Sequence, residues 1–330
     1  MYRNVMVPVD GSSFSREAVL QGLRIASRCG ATLRLVRVAA APIALTTSEG
    51  IEIESEGLRQ LHASALADLY AIAVECRAHS TVNVTASLQH GPIADAIIGY
   101  AKRHRVDLIV MRSHARRGLA RVWLGSTADR LIRDSGIPVL VVRPPSMATG
   151  LENGIQFKRI LVPVDGSKLA EQSLASAVSL ARIDGATLTL VRVVPPSRRE
   201  IGVLESDIGP ASADDVTAAT RYLDSLLTAD TDRTLSVTRR VVVSDDVPAT
   251  IMQMADTGEV DLIAIATRGR NAFARATGGS VADHIMRESI TSVMVLHPTD
   301  TRAEAGDSSL EPSALGSQQR STETVGPSSR

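Results

Sequence analysis

The chain repeats itself. Asn4-Val-Met-Val-Pro-Val-Asp-Gly-Ser12 returns as Arg159-Ile-Leu-Val-Pro-Val-Asp-Gly-Ser167, so Asp10 answers to Asp165 at an offset of 155 residues. Ala31-Thr-Leu-Arg-Leu-Val-Arg-Val38 returns at the same offset as Ala186-Thr-Leu-Thr-Leu-Val-Arg-Val193. Val106-Asp-Leu-Ile109 and Gly125-Ser126 return as Val260-Asp-Leu-Ile263 and Gly279-Ser280, at an offset of 154. Matches in register over most of each half establish a duplication, and the period is far too long for a solenoid, so each copy should be a complete domain. A chain of 330 residues is long enough for two such cores. The expected organisation is a domain over residues 1–146, a linker over 147–157, a second domain over 158–298 and a tail over 299–330. Pro144-Pro-Ser-Met-Ala-Thr-Gly-Leu-Glu-Asn-Gly154 has the composition of a linker, and the tail, rich in Ser, Thr, Glu, Gly and Pro, is expected to be disordered. That tail is either a solvated extension or a site for a partner or a modification.

Within each copy, short β-branched runs alternate with longer helical patterns, which predicts an α/β fold with a parallel sheet. In the first copy strands are expected at 4–9, 32–39, 82–88, 107–111 and 138–142, with helices at 15–29, 56–78, 92–104 and 124–134. The strands are nearly all apolar rather than alternating, as burial on both faces requires. The helix after Asp10 carries Ala18, Leu23, Ile25 and Ala26 at helical spacing. Right-handed crossovers then give two tandem doubly wound parallel five-stranded sheets in the order 3-2-1-4-5.

Ligands of such sheets bind beyond the carboxyl ends of the strands, where the strand order reverses, which here falls between strands 1 and 4. The loops at that point are Pro8-Val9-Asp10-Gly-Ser12 and Arg112-Ser113-His-Ala-Arg-Arg-Gly118 in the first copy. In the second they are Pro163-Val164-Asp165-Gly-Ser167 and Ala266-Thr267-Arg-Gly269-Arg270. Asp10 and Asp165 read either as turn or cap aspartates or as acceptors for ribose hydroxyls. Gly125-Ser126 and Gly279-Ser280 each open a helix, where free amides and the positive dipole end suit a phosphate, and an ordinary helix cap is the other reading. Arg116, Arg117 and Arg121, answered by Arg268, Arg270 and Arg275, form basic clusters beside these loops. They are either a solvated face or an attractor for phosphate.

Taken together, Val-Pro-Val-Asp-Gly-Ser, Asp107-Leu-Ile-Val-Met111, Gly-Ser and the closing Pro138-Val-Leu-Val-Val142 segment resemble the universal stress protein family, over about residues 3–143 and 158–297. Nucleotide-binding members carry G-x2-G-x9-G-[ST] across the second loop. The second copy keeps three of the four motif positions, in Ala266-Thr-Arg-Gly269 followed after nine residues by Gly279-Ser280, whereas the first copy has lost both leading glycines in Arg112-Ser-His-Ala115. A lost left-handed glycine costs about 1–2 kcal/mol, roughly tenfold in affinity. Arg112 could offset part of that loss or fill the pocket.

The resemblance implies that Pro163, Asp165 and Val193 line the adenosine side of an ATP site, and that Thr267, Gly269, Gly279, Ser280 and Val281 hold phosphates. Pro8, Asp10, Val38, Ser113, Gly125, Ser126 and Thr127 are the counterparts in a degenerate first site. It also implies that the last strands, 138–142 and 292–296, pair so that the copies form an internal pseudo-dimer. Dimerisation of the whole chain is a further expectation, as is magnesium accompanying the ATP.

Other chemistry is sparse. The 36 basic and 36 acidic residues cancel, and aromatic content of 2% leaves few stacking platforms, so no nucleic-acid partner is expected. No apolar run is long enough for a membrane span, no amino-terminal leader is visible, and Cys29 and Cys76 read as buried free thiols, so a cytoplasmic location is expected. Neither a nucleophile elbow, a zinc-protease pair nor a Walker loop occurs. His114 lies in the second loop without a matching acid, and its counterpart is Arg268. Asp107 and Asp261 precede strand 4, at the end of the sheet away from the crevice, and read as structural turns. The expected function is an ATP-binding stress-response regulator that is not an enzyme and acts through an unidentified protein partner. The alternatives are an interaction protein of the same fold without nucleotide and, less favoured, a slow ATP-hydrolysing enzyme.

Overall fold

Strands as apolar as Val5-Met-Val7 and Leu161-Val162 cannot face water on either side, and the protein covers both faces of them with helices. A computed structural model describes residues 1–39, 44–46, 52–54, 56–112, 125–143, 154–201, 205–208, 211–267 and 281–297. The first copy contains β1 (Asn4–Pro8), α1 (Ser13–Cys29), β2 (Thr32–Ala39), β3 (Ala44–Thr46), β4 (Glu52–Glu54), α2 (Glu56–Ala78), β5 (Val84–His90), α3 (Ile93–Arg103), β6 (Leu108–Arg112), α4 (Ser126–Asp134) and β7 (Val139–Val142). The second contains β8 (Arg159–Pro163), α5 (Lys168–Asp184), β9 (Thr187–Val194), β10 (Arg198–Ile201), β11 (Glu205–Ile208), α6 (Ala213–Ser225), α7 (Ala229–Thr234), β12 (Val237–Val243), α8 (Val247–Asp256), β13 (Leu262–Ala266), α9 (Val281–Glu288) and β14 (Ser292–Leu296).

The sheet order is β12-β9-β8-β13-β14-β7-β6-β1-β2-β5. Each half therefore has the order 3-2-1-4-5, all parallel, as right-handed crossovers dictate. The two five-stranded arrays join edge to edge through β7 and β14, which pair antiparallel with Leu140 opposite Met294. Two unpaired apolar edges are thereby removed in one step. The halves together make one compact unit, Met1–Thr299. One face of the sheet is covered by α1, α2, α5 and α6 over a core that includes Val5, Leu33, Ile160 and Leu188. The other is covered by α3, α4, α8 and α9 over Met6, Ile109, Leu161 and Ile263.

Several boundaries differ from the sequence reading, for local reasons. Helix α1 begins at Ser13 rather than 15, because the Ser12 hydroxyl accepts from the Ser15 amide and caps the helix two residues earlier. Strand β5 begins at Val84, not 82. The hairpins β3–β4 and β10–β11, inserted between the second strand and second helix of each half, are additions that alternation alone does not reveal. Cys76 is buried, but Cys29, in the last turn of α1, is only partly so, which corrects the expectation of two buried thiols. The segment 144–153 and the tail lie outside the described residues.

Polar groups fix the seam between the halves. Gln21, almost fully buried, receives the Ile155 amide at 2.6 Å and donates to the Ile155 carbonyl at 3.1 Å, clamping the chain as it enters the second half. Arg24 pairs with the buried Asp184 carboxylate at 2.6 Å, and the other Asp184 oxygen accepts from the Phe157 amide at 2.8 Å. The guanidinium of Arg143, just past β7 in the first half, donates to the Ser289 carbonyl at 2.5 Å, to the Thr291 carbonyl at 3.3 Å and to the Met286 carbonyl. These acceptors lie at the carboxyl end of α9 in the second half, where the last carbonyls of a helix lack intrahelical partners.

Candidate functional site

In each half the first and fourth strands are neighbours, β1 beside β6 and β8 beside β13. The crevice expected at the order reversal exists in the first half as a pocket of about 320 Å³. Pro8, Val9, Asp10, Val38, Arg112, Gly125, Ser126 and Thr127 all line it. Ser113, the remaining candidate in this half, lies outside the described residues.

Val36, Val38, Ile97 and Met111 supply apolar lining to the pocket, together with Phe14 and Ile93. None of Phe14, Ile93, Ile97 and Met111 stood out in the sequence. Ile93 and Ile97, one turn apart on α3, are the pair that helical spacing could have pointed to.

Asp10 sits just beyond β1, where the turn is built by hydrogen bonds onto its own carboxylate. The Ser12 amide donates to Asp10 Oδ1 at 2.9 Å and the Ser12 hydroxyl at 2.6 Å. Burial alone would push this carboxyl up, but those bonds outweigh it and hold Asp10 below the usual range, as a carboxylate at neutral pH. Asp165 repeats the geometry with Ser167, at 2.9 and 2.5 Å. Both aspartates are therefore turn formers, and the same turn presents an ionised acceptor at the mouth of the crevice.

The turn leans on an arginine that the sequence reading missed. Gly11 and Gly166 have φ of +86° and +85°, and a Cβ would come within 3.1 Å of Arg37 Nη2 and 2.9 Å of Arg192 Nη1 respectively. Arg37 is held by the Ala65 carbonyl and Asp68, and Arg192 lies over the Tyr222 ring. Their signal in the sequence was plain: a charged residue recurring inside the second strand of both copies, at the same offset as the aspartates.

Arg112, at the end of β6, forms an ion pair with Glu17 of α1, and its guanidinium carbon lies 4.7 Å from the centre of the Phe14 ring. Arg112 thus lines one end of the pocket with its charge already paired. Beside it, α4 starts at Ser126 with Gly125 as its cap residue and no side chain capping the first turn. Its leading amides are the groups that an anion or water would satisfy.

In the second half, Pro163 closes β8, Val164 is buried, Val193 lies in β9, Ala266 ends β13 and Thr267 follows it, 5% exposed. Val281 opens α9. Gly269, Arg270, Gly279 and Ser280 lie outside the described residues, as do Arg116, Arg117, Arg121, Arg268, Arg275 and His114. Pro163 of β8, Val193 of β9 and Ala266 of β13 lie toward the carboxyl ends of three adjacent strands, as Pro8, Val38 and Arg112 do in the first half.

At the opposite end of the sheet, Asp107 accepts from the Arg3 and Asn4 amides at 2.7 and 3.1 Å, and Asp261 from the Lys158 and Arg159 amides at 2.8 and 2.9 Å. They tie the entry of the fourth strand to that of the first, which is the structural role expected. Among the described residues no group of three or more His, Cys, Asp or Glu side chains could hold a metal ion. No described helix is long and apolar enough to cross a membrane.

Comparison with known proteins agrees with this architecture. The model of the Universal stress protein family matches residues 1–143 and 156–297. Universal stress protein MJ0531 of Methanocaldococcus jannaschii is 33% identical over 147 residues, which are 44% of this chain and 84% of that protein. Universal stress protein Rv2005c of Mycobacterium tuberculosis is 26% identical over 299 residues, 88% of this chain and 96% of that protein. Among solved structures, a universal stress protein from Archaeoglobus fulgidus superposes with a TM-score of 0.67 at 17% identity, covering 90% of this chain and 98% of that one.

Proposed function

Since this chain belongs to the universal stress protein family, matched in both of its halves, we propose that it is a stress-response regulator that binds ATP in its second half. The first half keeps the crevice but not the means to hold a triphosphate. The observation that carries this reading is the contrast between the two fourth-strand exits. The second half runs from Ala266-Thr267 into Gly269 and, after nine residues, Gly279-Ser280 immediately ahead of α9. At the equivalent exit the first half places Arg112, locked onto Glu17.

The division of labour follows from physical chemistry. Small residues let backbone amides reach phosphate oxygens, and a helix amino terminus adds its partial positive charge. Asp165 supplies the acceptor for ribose hydroxyls, and Pro163, Val164 and Val193 the apolar surface against the base. Magnesium would accompany the triphosphate as its counter-ion. We read the protein as a binder rather than a catalyst, one whose nucleotide state alters a contact with a protein partner.

The test is the nucleotide content of gently purified protein, released by denaturation and identified by chromatography, followed by calorimetry with ATP. About one ATP per chain, abolished by Asp165→Ala, is expected. Absence of bound nucleotide together with no heat of binding would replace this reading with that of a nucleotide-free interaction protein.

A further inference from the structure

Three residues around the first pocket differ jointly from their counterparts in the second half. Phe14, Glu17 and Arg112 correspond to Leu169, Gln172 and Ala266. In space the first three form one cluster: the Arg112 guanidinium pairs with Glu17 and lies over Phe14. The ion pair is largely sheltered, with side-chain exposures of 15% for Arg112 and 28% for Glu17. Arg112 Nε and Glu17 Oε2 are buried without a hydrogen-bond partner. Among the described residues, the cation at this end of the pocket is thus already paired with a carboxylate of the protein.

A phosphate arriving there would have to displace Glu17 from Arg112. It would leave a carboxylate in a sheltered place beside a second anion, an arrangement that disfavours both charges. An uncharged ligand meets no such conflict. The rest of the pocket suits a flat base and a sugar, with apolar surface from Val36, Val38, Ile97 and Met111 and the ionised Asp10 at the mouth. Its volume, about 320 Å³, lies at the small end of the roughly 300–1,000 Å³ common for small-molecule pockets.

From this cluster we infer that the first half binds an uncharged nucleoside and excludes its phosphorylated forms, with Glu17 as the residue that sets the specificity. The inference rests on the nucleotide reading of the fold for its ligand class, and on the Glu17–Arg112 pair for its selectivity. The chain then carries two related sites of opposite preference, so that it senses a nucleoside and its triphosphate at once.

Photolabelling of the full chain with azido-adenosine and with azido-ATP, followed by peptide mapping, reads the two halves separately. Azido-adenosine is expected to label peptides from residues 1–143, and azido-ATP only the second half. Glu17→Gln, which installs the residue type found at 172, releases Arg112 for phosphate and should bring azido-ATP labelling to the first half with at least about a tenfold gain in affinity. Arg112→Ala widens the pocket but leaves the carboxylate, so it should not admit azido-ATP. Equal gains from Arg112→Ala and Glu17→Gln would show a steric plug and overturn the inference. Labelling of the wild-type first half by azido-ATP as strongly as by azido-adenosine would overturn it without any variant, as would failure of azido-adenosine to label that half. Failure of azido-ATP to label the second half would instead sink the proposed ATP site, while azido-adenosine on the first half still upheld the selectivity.

Discussion

Replacing Arg143 by methionine should loosen the seam between the halves. The residue is 4% exposed, and its guanidinium donates to three carbonyls of the other half, those of Met286, Ser289 and Thr291. Hydrogen bonds from a charged donor contribute about 1.5–3 kcal/mol each, and orphaned buried carbonyls are costly. Against that stands the cost of burying the charge, which pulls Arg143 from its ordinary 12.5 down to about 10. A drop of that size corresponds to about 3 kcal/mol. Three bonds outweigh this cost, and the net loss on truncation is about 3 kcal/mol, comparable to breaking a buried ion pair. In a unit of this size that is a fall of about 5 °C in Tm. Urea and thermal denaturation, followed by circular dichroism, measure it. Because the contact joins the halves, the variant should also show a lower m-value or a second transition as their unfolding separates. A midpoint within about 1 °C of wild type, with an unchanged m-value, would refute the reasoning and show that the seam holds without Arg143.

Gly166→Ala should destabilise the protein by about 1–2 kcal/mol, the cost of a left-handed residue with a Cβ. It should weaken ATP binding as well, since the new methyl group would displace Arg192 from beneath the Asp165 turn. Urea midpoints and calorimetry read the two effects, and unchanged values in both would contradict the close approach. Stability should fall at alkaline pH. Burial pushes the Cys76 thiol from its ordinary 9.0 up to about 11, and burial together with Glu171 pushes Tyr222 from 10.0 up to about 12. The folded chain keeps those protons where the unfolded chain has released them, so stability is full below about pH 9 and declines as pH rises through the folded values. Arg143, whose shift is downward, opposes the decline above about pH 10. Urea midpoints at about pH 8 and about pH 10 should differ in wild type and differ less in Cys76→Ala, and a flat profile would contradict the burial of Cys76.

The folding pattern of this chain was legible because it is written in local periodicities that occur twice. Apolar runs flanked by turn residues specify strands buried on both faces, and the handedness of crossovers then leaves one sheet order, which both halves adopt. Pro8, Asp10, Arg112 and Gly125 could be placed at one crevice from that order alone, since topology decides which strand ends are neighbours. Asp107 and Asp261 were legible as turn residues for the same reason. The joining of the halves through β7 and β14 came from the family resemblance rather than from the residues themselves.

What the sequence by itself determined is therefore the duplication, the strand order and the address of the site. Only the tertiary structure decided what the cation at that site faces. Arg112 and Glu17 are separated by 95 positions, and whether the cation faces a ligand or a neighbouring carboxylate depends on side-chain rotamers and helix placement that no local pattern encodes. The same holds for Arg143 on the carbonyls of Met286 and Ser289, and for Gln21 on the backbone of Ile155. A periodicity constrains which face of an element is buried, and the partner of a polar atom on that face is fixed only when two distant elements come into register.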